Sequence, residues 1–203
     1  MRYLERVRST FSGKDFPTFT IDDLRLSLKG TGISDAYIYV MLHNLLKNGE
    51  VTRITRGIYT FHDDAVVAGF AFRPFYYGLE SALSIRGVSG QGANYIIMTP
   101  RNVRTGMRSF HGRNYRVQRV ESGLMFGYSV VRYGSFWVPV SDVEKTVIDM
   151  LYFDGAIRDE LWPGIAAALD RKRLMDYLKR YPPYFRKRAL DSVAAMGRAG
   201  RKA

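Results

Sequence analysis

Residues 34–61, SDAYIYVMLHNLLKNGEVTRITRGIYTF, constrain this chain more than any other stretch. Apolar residues at Ile38, Leu42, Leu45 and Leu46 lay one stripe along a helix over residues 34–48 and leave Tyr37, Tyr39, His43, Asn44 and Lys47 mostly off it. Ser34 supplies an N-cap, and Asn48-Gly49 a stop. Val51-Thr52-Arg53-Ile54 and Ile58-Tyr59-Thr60-Phe61 then read as two short strands joined by Thr55-Arg56-Gly57, a basic turn whose glycine permits positive φ. A capped helix followed at once by a basic hairpin is the second half of a winged helix-turn-helix.

The first half lies upstream. Thr20-Ile21-Asp22-Asp23 has the layout of a capping box with Asp in place of Glu, and Ile21, Leu24, Leu26 and Leu28 follow it. Lys29-Gly30-Thr31-Gly32-Ile33 is short and glycine-bearing, as a turn between crossed helices requires. Tyr3, Leu4, Val7 and Phe11 form an earlier amphipathic segment. The expected organisation is α+β: a winged helix-turn-helix domain over 1–64, then a mixed α/β domain over 65–203 with an antiparallel-type sheet and C-terminal helices.

The remainder is read in chain order. Residues 65–75 are apolar without a clear period and link or pack the domains. Residues 76–86 read as a helix burying Leu79, Ala82 and Leu83, and 87–92 as a turn-forming loop that lacks the lysine of a P-loop. From Asn94 the period becomes two, giving strands at 95–99, 115–120, 124–133 and 136–140. Ser141-Asp142-Val143-Glu144 has capping-box spacing and opens a helix with Val143, Val147, Ile148, Met150 and Leu151 on its broad apolar side. Helices near 163–169, 171–180 and 183–196 precede a Gly/Arg/Lys tail at 197–203, expected to fray.

The formal net charge of +12 favours a polyanionic partner, but its distribution is uneven. Residues 1–64 carry nine Lys/Arg against eight Asp/Glu, 65–150 ten against five, and 151–203 twelve against six. The second domain therefore either touches phosphates as well or offers a basic face to an acidic protein. Part of the excess is the series Arg101, Arg104, Arg108, Arg113, Arg116 and Arg119, with no acidic residue between 101 and 120. Two readings of that series stay open: a solvated edge strand that resists aggregation by charge, and an anion-facing surface with Phe110, His111 and Tyr115 interleaved for stacking. The chain has no cysteine, no apolar run long enough to span a bilayer and a charged start unlike a signal peptide, so a soluble cytoplasmic protein is expected.

With these elements in place, a resemblance emerges. The Arg-Gly-Ile-Tyr close of the hairpin, Gly78-Leu79-Glu80-Ser81-Ala82-Leu83 ahead of Gly87, and Val138-Pro139-Val140-Ser141-Asp142-Val143-Glu144-Lys145-Thr146-Val147-Ile148-Asp149 together resemble the AbiEi-type antitoxin family of transcriptional regulators. The resemblance spans roughly residues 20–155 and implies a cytoplasmic repressor of its own operon. It also implies binding to double-stranded DNA at upstream repeats and neutralisation of a nucleotidyltransferase-like toxin encoded beside it.

On that reading Ser34, Tyr37, Tyr39, His43, Asn44 and Lys47 face the major groove or the backbone of a duplex, while Arg53, Thr55 and Arg56 on the wing reach phosphates or the minor groove. One of Tyr37 and Tyr39 is expected to pack on the first helix. Under the anion-facing reading of the arginine series, Arg101, Arg104, Arg108, Arg113 and Arg116 are the candidates for a second anionic-partner surface. No cofactor and no metal is expected, because His43, His62 and His111 lie far apart with no zinc-binding spacing. The alternative class is a metal-dependent nuclease targeted by a winged helix. Its nearest candidates, Asp142, Glu144, Lys145 and Asp149, lack the Glu-x-Lys spacing, and Asp142, Lys145 and Asp149 are expected to form an i,i+3 and i,i+4 ion cluster on a helix surface.

Overall fold

The computed structural model describes residues 2–90 and 94–199. The expected loop at 87–92 and tail at 197–203 therefore fall partly outside the described residues. Residues 197–199 of that tail are helical. The chain divides into two compact units, one running to Arg73 with Ser109–Arg113 and Gly134–Phe136, the other comprising Pro74–Arg108, Asn114–Tyr133 and the chain from Trp137 on.

In the first unit, helices α1 (Arg2–Phe11), α2 (Ile21–Ser27) and α3 (Asp35–Lys47) precede a two-stranded antiparallel hairpin of β1 (Thr52–Thr55) and β2 (Ile58–Thr60). The apolar spacings place Val7 and Phe11 of α1, Leu24 of α2, and Ile38, Met41, Leu42 and Leu45 of α3 in one core with Phe19 and Val51. The Thr20 capping box forms as its sequence suggests: the Asp23 amide donates to the Thr20 hydroxyl, and the Thr20 amide donates to the Asp23 carboxylate at 2.7 Å. Arg8 grips Glu50 with two bonds of 2.7 and 2.8 Å, tying α1 to the start of the hairpin. Phe19 pairs with Tyr59 through reciprocal backbone bonds of 2.8 and 2.9 Å, so the hairpin is held on its inner edge. Gly57 sits in the hairpin turn at φ 77, the conformation that its sequence position anticipates.

Residues 65–72 are a 3-10 helix in which every residue is buried, capped by Asp64. Their composition explains the missing period: a segment covered on all sides needs no polar face. They group with the first unit, which moves its end from residue 64 to Arg73.

From Pro74 on the chain forms β3 (Tyr76–Tyr77), α4 (Leu79–Ile85), β4 (Tyr95–Thr99), β5 (Gly106–Phe110), β6 (Arg113–Arg119), β7 (Tyr128–Tyr133), β8 (Phe136–Ser141) and α5 (Val143–Asp149), all in the second unit except Ser109–Arg113 and Gly134–Phe136. Helices α6 (Trp162–Ala168), α7 (Arg171–Leu178) and α8 (Pro183–Ala199) follow. The six strands lie in the order β5-β6-β4-β3-β8-β7. β3 is antiparallel to β4 but parallel to β8, and β4 is parallel to β6, so the sheet is mixed and not of the antiparallel type expected. Strand periodicity reports which faces are buried and carries no information on direction.

Four further expectations change. Tyr76 and Tyr77 are strand rather than helix, because their backbones pair with Met98 and Ile97. The expected strand over 124–133 shortens to β7, with residues 122–124 in a 3-10 turn, and β5 was not anticipated. The cap of α5 is Asp142, whose carboxylate accepts from the Lys145 amide at 2.8 Å, while Ser141 bonds the Thr146 hydroxyl at 2.7 Å.

Candidate nucleic-acid interface

The core contacts of α3 occupy one side only, which leaves a broad opposite face to solvent. Ser34, Tyr37, Tyr39, His43, Asn44 and Lys47 are all exposed. Ser34 caps the helix, its hydroxyl accepting from the Tyr37 amide at 3.3 Å, which fixes where the face begins. Between the polar residues stand Ala36 and Val40, the latter 54% exposed. Sequence reasoning passed over both, and the signal was available: Ala36, Val40, His43 and Lys47 recur at i, i+4, i+7 and i+11, directly opposite the buried stripe. An exposed aliphatic side chain at such a point suits contact with a thymine methyl group.

The two tyrosines flank this face. Tyr39 is 54% exposed and accepts a bond of 3.1 Å from Arg25, whose guanidinium also lies 5.6 Å from the tyrosine ring centre. Arg25 is itself bound to Asp22 at 2.6 Å and to Asp35 at 3.4 Å, so α2 holds the Tyr39 phenol from below. Tyr37, 50% exposed, lines a shallow cavity of about 100 Å3 with Leu4 of α1 and Val40, Met41 and Asn44 of α3. It shares that cavity with the first helix and stays exposed.

On the hairpin, Arg53 and Arg56 are exposed and their guanidiniums have no carboxylate partner among the described residues, while Thr55 is half-buried. The face of α3 and this turn belong to the same unit and present hydrogen-bonding side chains and two uncompensated cations.

The arginine series is less uniform than its sequence. Arg101, Arg104 and Arg113 are exposed; Arg108 is half-buried and donates to the Arg104 carbonyl at 2.6 Å, and Arg116 pairs with Asp154 at 3.2 Å. Phe110 and Tyr115 are buried, at 4% and 1%, so neither ring is available for the stacking that the sequence suggested. The alternation of β5 and β6 turns them inward.

The second chemically notable cluster surrounds α5, and it overturns the expected surface ion cluster. Lys145 and Asp149 are paired, and both side chains are 0% exposed. Tyr76 donates to the other Asp149 oxygen at 2.8 Å, and the Lys145 ammonium lies 3.2 Å from the Tyr181 hydroxyl. Rings of Tyr76, Phe126 and Tyr181 surround the ammonium with centres 5.4, 5.0 and 6.0 Å away. Burial pushes the Asp149 carboxyl up and the Lys145 ammonium down, and the attraction between them opposes both shifts. Gly127, at φ 65, passes so close that a Cβ there would stand 2.9 Å from Lys145 Cβ.

The neighbouring polar residues are likewise engaged. Glu144, 2% exposed, accepts from the Asp170 amide at 2.6 Å, and Asp142 accepts from the Tyr177 hydroxyl at 2.7 Å. Asp142, Glu144, Lys145 and Asp149 thus act as internal struts. Among the described residues no group of three or more His, Asp or Glu could hold a metal ion, and no helix is long and apolar enough to cross a membrane.

A mixed α/β chain whose first unit is three helices and a hairpin is the class that the coordinates define. A family model described as "Transcriptional regulator, AbiEi antitoxin" matches residues 3–62, all three helices and the hairpin. Segments 78–83 and 138–149, on which the resemblance also drew, lie outside that match. No curated protein matches the chain. Among solved structures, the crystal structure of the RV2827C protein from Mycobacterium tuberculosis shares the fold, with a TM-score of 0.64 at 16% identity over 97% of this chain and 78% of that one.

Proposed function

We propose that this chain is a DNA-binding transcriptional repressor whose first unit is a winged helix-turn-helix. Helix α3 enters the major groove, and the β1–β2 turn is the wing. The observation that carries the reading is the exposed polar face of α3 together with the exposed Arg53 and Arg56, which have no carboxylate partner among the described residues, all within the segment that the regulator family matches. Asn44, His43 and the tyrosines read base edges, Ala36 and Val40 meet apolar base surface, and Lys47, Arg53, Thr55 and Arg56 engage the backbone or minor groove. The protein acts in the cytoplasm without catalysis. It represses the operon that encodes it, and the chain beyond Arg73, with Arg101, Arg104, Arg108, Arg113 and Arg116 among its cations, serves the neutralisation of a nucleotidyltransferase-like toxin.

A gel-shift titration with the DNA upstream of its own gene tests this reading. Replacing Arg53 and Arg56 together by Ala lowers the slope of log affinity against log salt by about 2, close to one unit per lost phosphate contact. Unchanged affinity and slope remove the hairpin from the interface. Co-purification with the product of a neighbouring nucleotidyltransferase-like reading frame tests the antitoxin half separately, and a full-length partner that never binds removes that half alone.

A further inference from the structure

Strands β4 and β6 run parallel from the Tyr95–Tyr115 pair to the Thr99–Arg119 pair, so they end side by side. Beyond their carboxyl ends opens a cavity of about 500 Å3, lined by Pro100 after β4, by Arg119, Val120, Glu121 and Ser122 at the end of β6, and by Tyr152 and Phe153. The crevice outside the carboxyl ends of parallel strands is where α/β sheets hold small ligands, and this volume falls within the usual range for such sites, roughly 300–1,000 Å3. None of these residues takes part in the α3 face, and Tyr152 adjoins the Lys145 cluster through an edge contact with the Tyr181 ring, centres 5.5 Å apart.

The aromatic wall has a local cause. After Asp149 the helix widens into a π turn, Met150–Asp154, a feature that recurs at functional sites because it redirects side chains that a regular helix would align. Tyr152 and Phe153 lie in that turn, half-buried, with ring centres 5.0 Å apart and edge to face. The Arg116–Asp154 ion pair at 3.2 Å holds the end of the turn against β6. The lining also includes two exposed charged side chains of unlike sign. The Arg119 guanidinium has only a long contact of 3.5 Å to Asn102, and the Glu121 carboxylate has no hydrogen-bond partner among the described residues, its backbone carbonyl accepting from the Leu124 amide at 2.9 Å.

Aromatic walls favour a flat unsaturated ring, a guanidinium favours a phosphate through paired N–H donors, and a carboxylate at a strand end favours adjacent ribose hydroxyls. Arg119 and Glu121 are two residues apart on extended chain, roughly 7 Å, comparable with the separation of a ribose diol from its 5′-phosphate. We propose that this cavity binds a free ribonucleoside 5′-monophosphate, with its base against Tyr152 and Phe153, its 2′- and 3′-hydroxyls donating to Glu121 and its phosphate on Arg119. The site lies wholly in the second unit and does not depend on the DNA-binding reading.

Calorimetric titration of the full chain tests it with AMP, GMP, 2′-deoxy-AMP and inorganic phosphate. Saturable binding of AMP or GMP is expected, tenfold or more weaker in Arg119→Ala because a charge-assisted bond is lost. In Glu121→Gln, a several-fold preference for AMP over 2′-deoxy-AMP should shrink. Both positions are exposed, so both variants should melt at the parental temperature. The proposal is overturned if neither ribonucleotide binds saturably, if Arg119→Ala binds as the parent does, or if phosphate alone binds as tightly as AMP.

Discussion

Helices α3 and α5 begin alike and end up in opposite circumstances. Each opens on a side-chain cap and spaces polar residues three or four apart, yet the polar residues of α3 face water while Lys145, Asp149 and Glu144 of α5 are sealed. The difference lies in what surrounds them. α3 has neighbours on one side, whereas α5 is met by Tyr76 from β3, by Phe126 and Gly127 from the turn before β7, and by Tyr177 and Tyr181 around the end of α7. An i,i+4 pair on the surface contributes little, about 0–1 kcal/mol, but the same pair with both charges out of water becomes strongly destabilising when one partner is removed.

The sharpest way to break this contrast is Asp149→Ala. It strands the Lys145 ammonium among three aromatic rings and should cost about 3–5 kcal/mol in denaturant unfolding of the second unit. The double replacement Lys145→Met with Asp149→Leu should cost much less, since no charge is left uncompensated. A loss no larger than 1 kcal/mol in Asp149→Ala would show that the cluster is solvated after all. Next in size, Asp142→Ala removes both the α5 cap and the acceptor of the Tyr177 hydroxyl, at about 1–2 kcal/mol. The counterpart on the other helix is Asn44→Ala with Lys47→Ala, expected to change stability by less than about 0.5 kcal/mol while weakening DNA binding. A large loss of stability from that pair would mean that the α3 face is structural.

The smallest expected effect is in alkaline titration. The Tyr177 phenol is pushed up to about 12 by its partial burial and by its bond to Asp142. A folded-state value above the unfolded one means that this contribution is complete below about pH 10 and is lost as pH rises from 10 towards 12. Tyr177→Phe should therefore flatten the fall in stability across that window, measured by denaturant midpoints at successive pH values. An unchanged slope would assign the alkaline fall to the more deeply buried phenols of Tyr76 and Tyr181, whose ionisation burial displaces further upward.

Much of the first unit was legible because its signals are local. The Thr20 box, the Ser34 cap, the glycines that end α3 and turn the hairpin, and the stripe Ile38, Leu42, Leu45 each act within a few residues. Val40 was missed because a hydrophobic residue in a helix is assumed to point inward, although its angular position opposes the buried stripe. In the second unit the strand positions were mostly readable, but their directions, the pairing of β3, the inward turn of Phe110 and Tyr115 and the burial of Lys145 were not. Each of these depends on a partner distant in the chain, as Tyr76 is from Asp149.

The amino-acid order alone determined where helices and hairpin turns start and stop, since caps, glycines and apolar periods operate through bonds and rotations among near neighbours. It also determined that the first 64 residues carry almost no net charge while the remainder is basic. Only the tertiary structure decided which polar residues remain in water. Solvation of a side chain is set by everything packed within a few ångströms of it, and for Lys145 and Asp149 those neighbours come from strands, turns and helices that lie far apart in the chain.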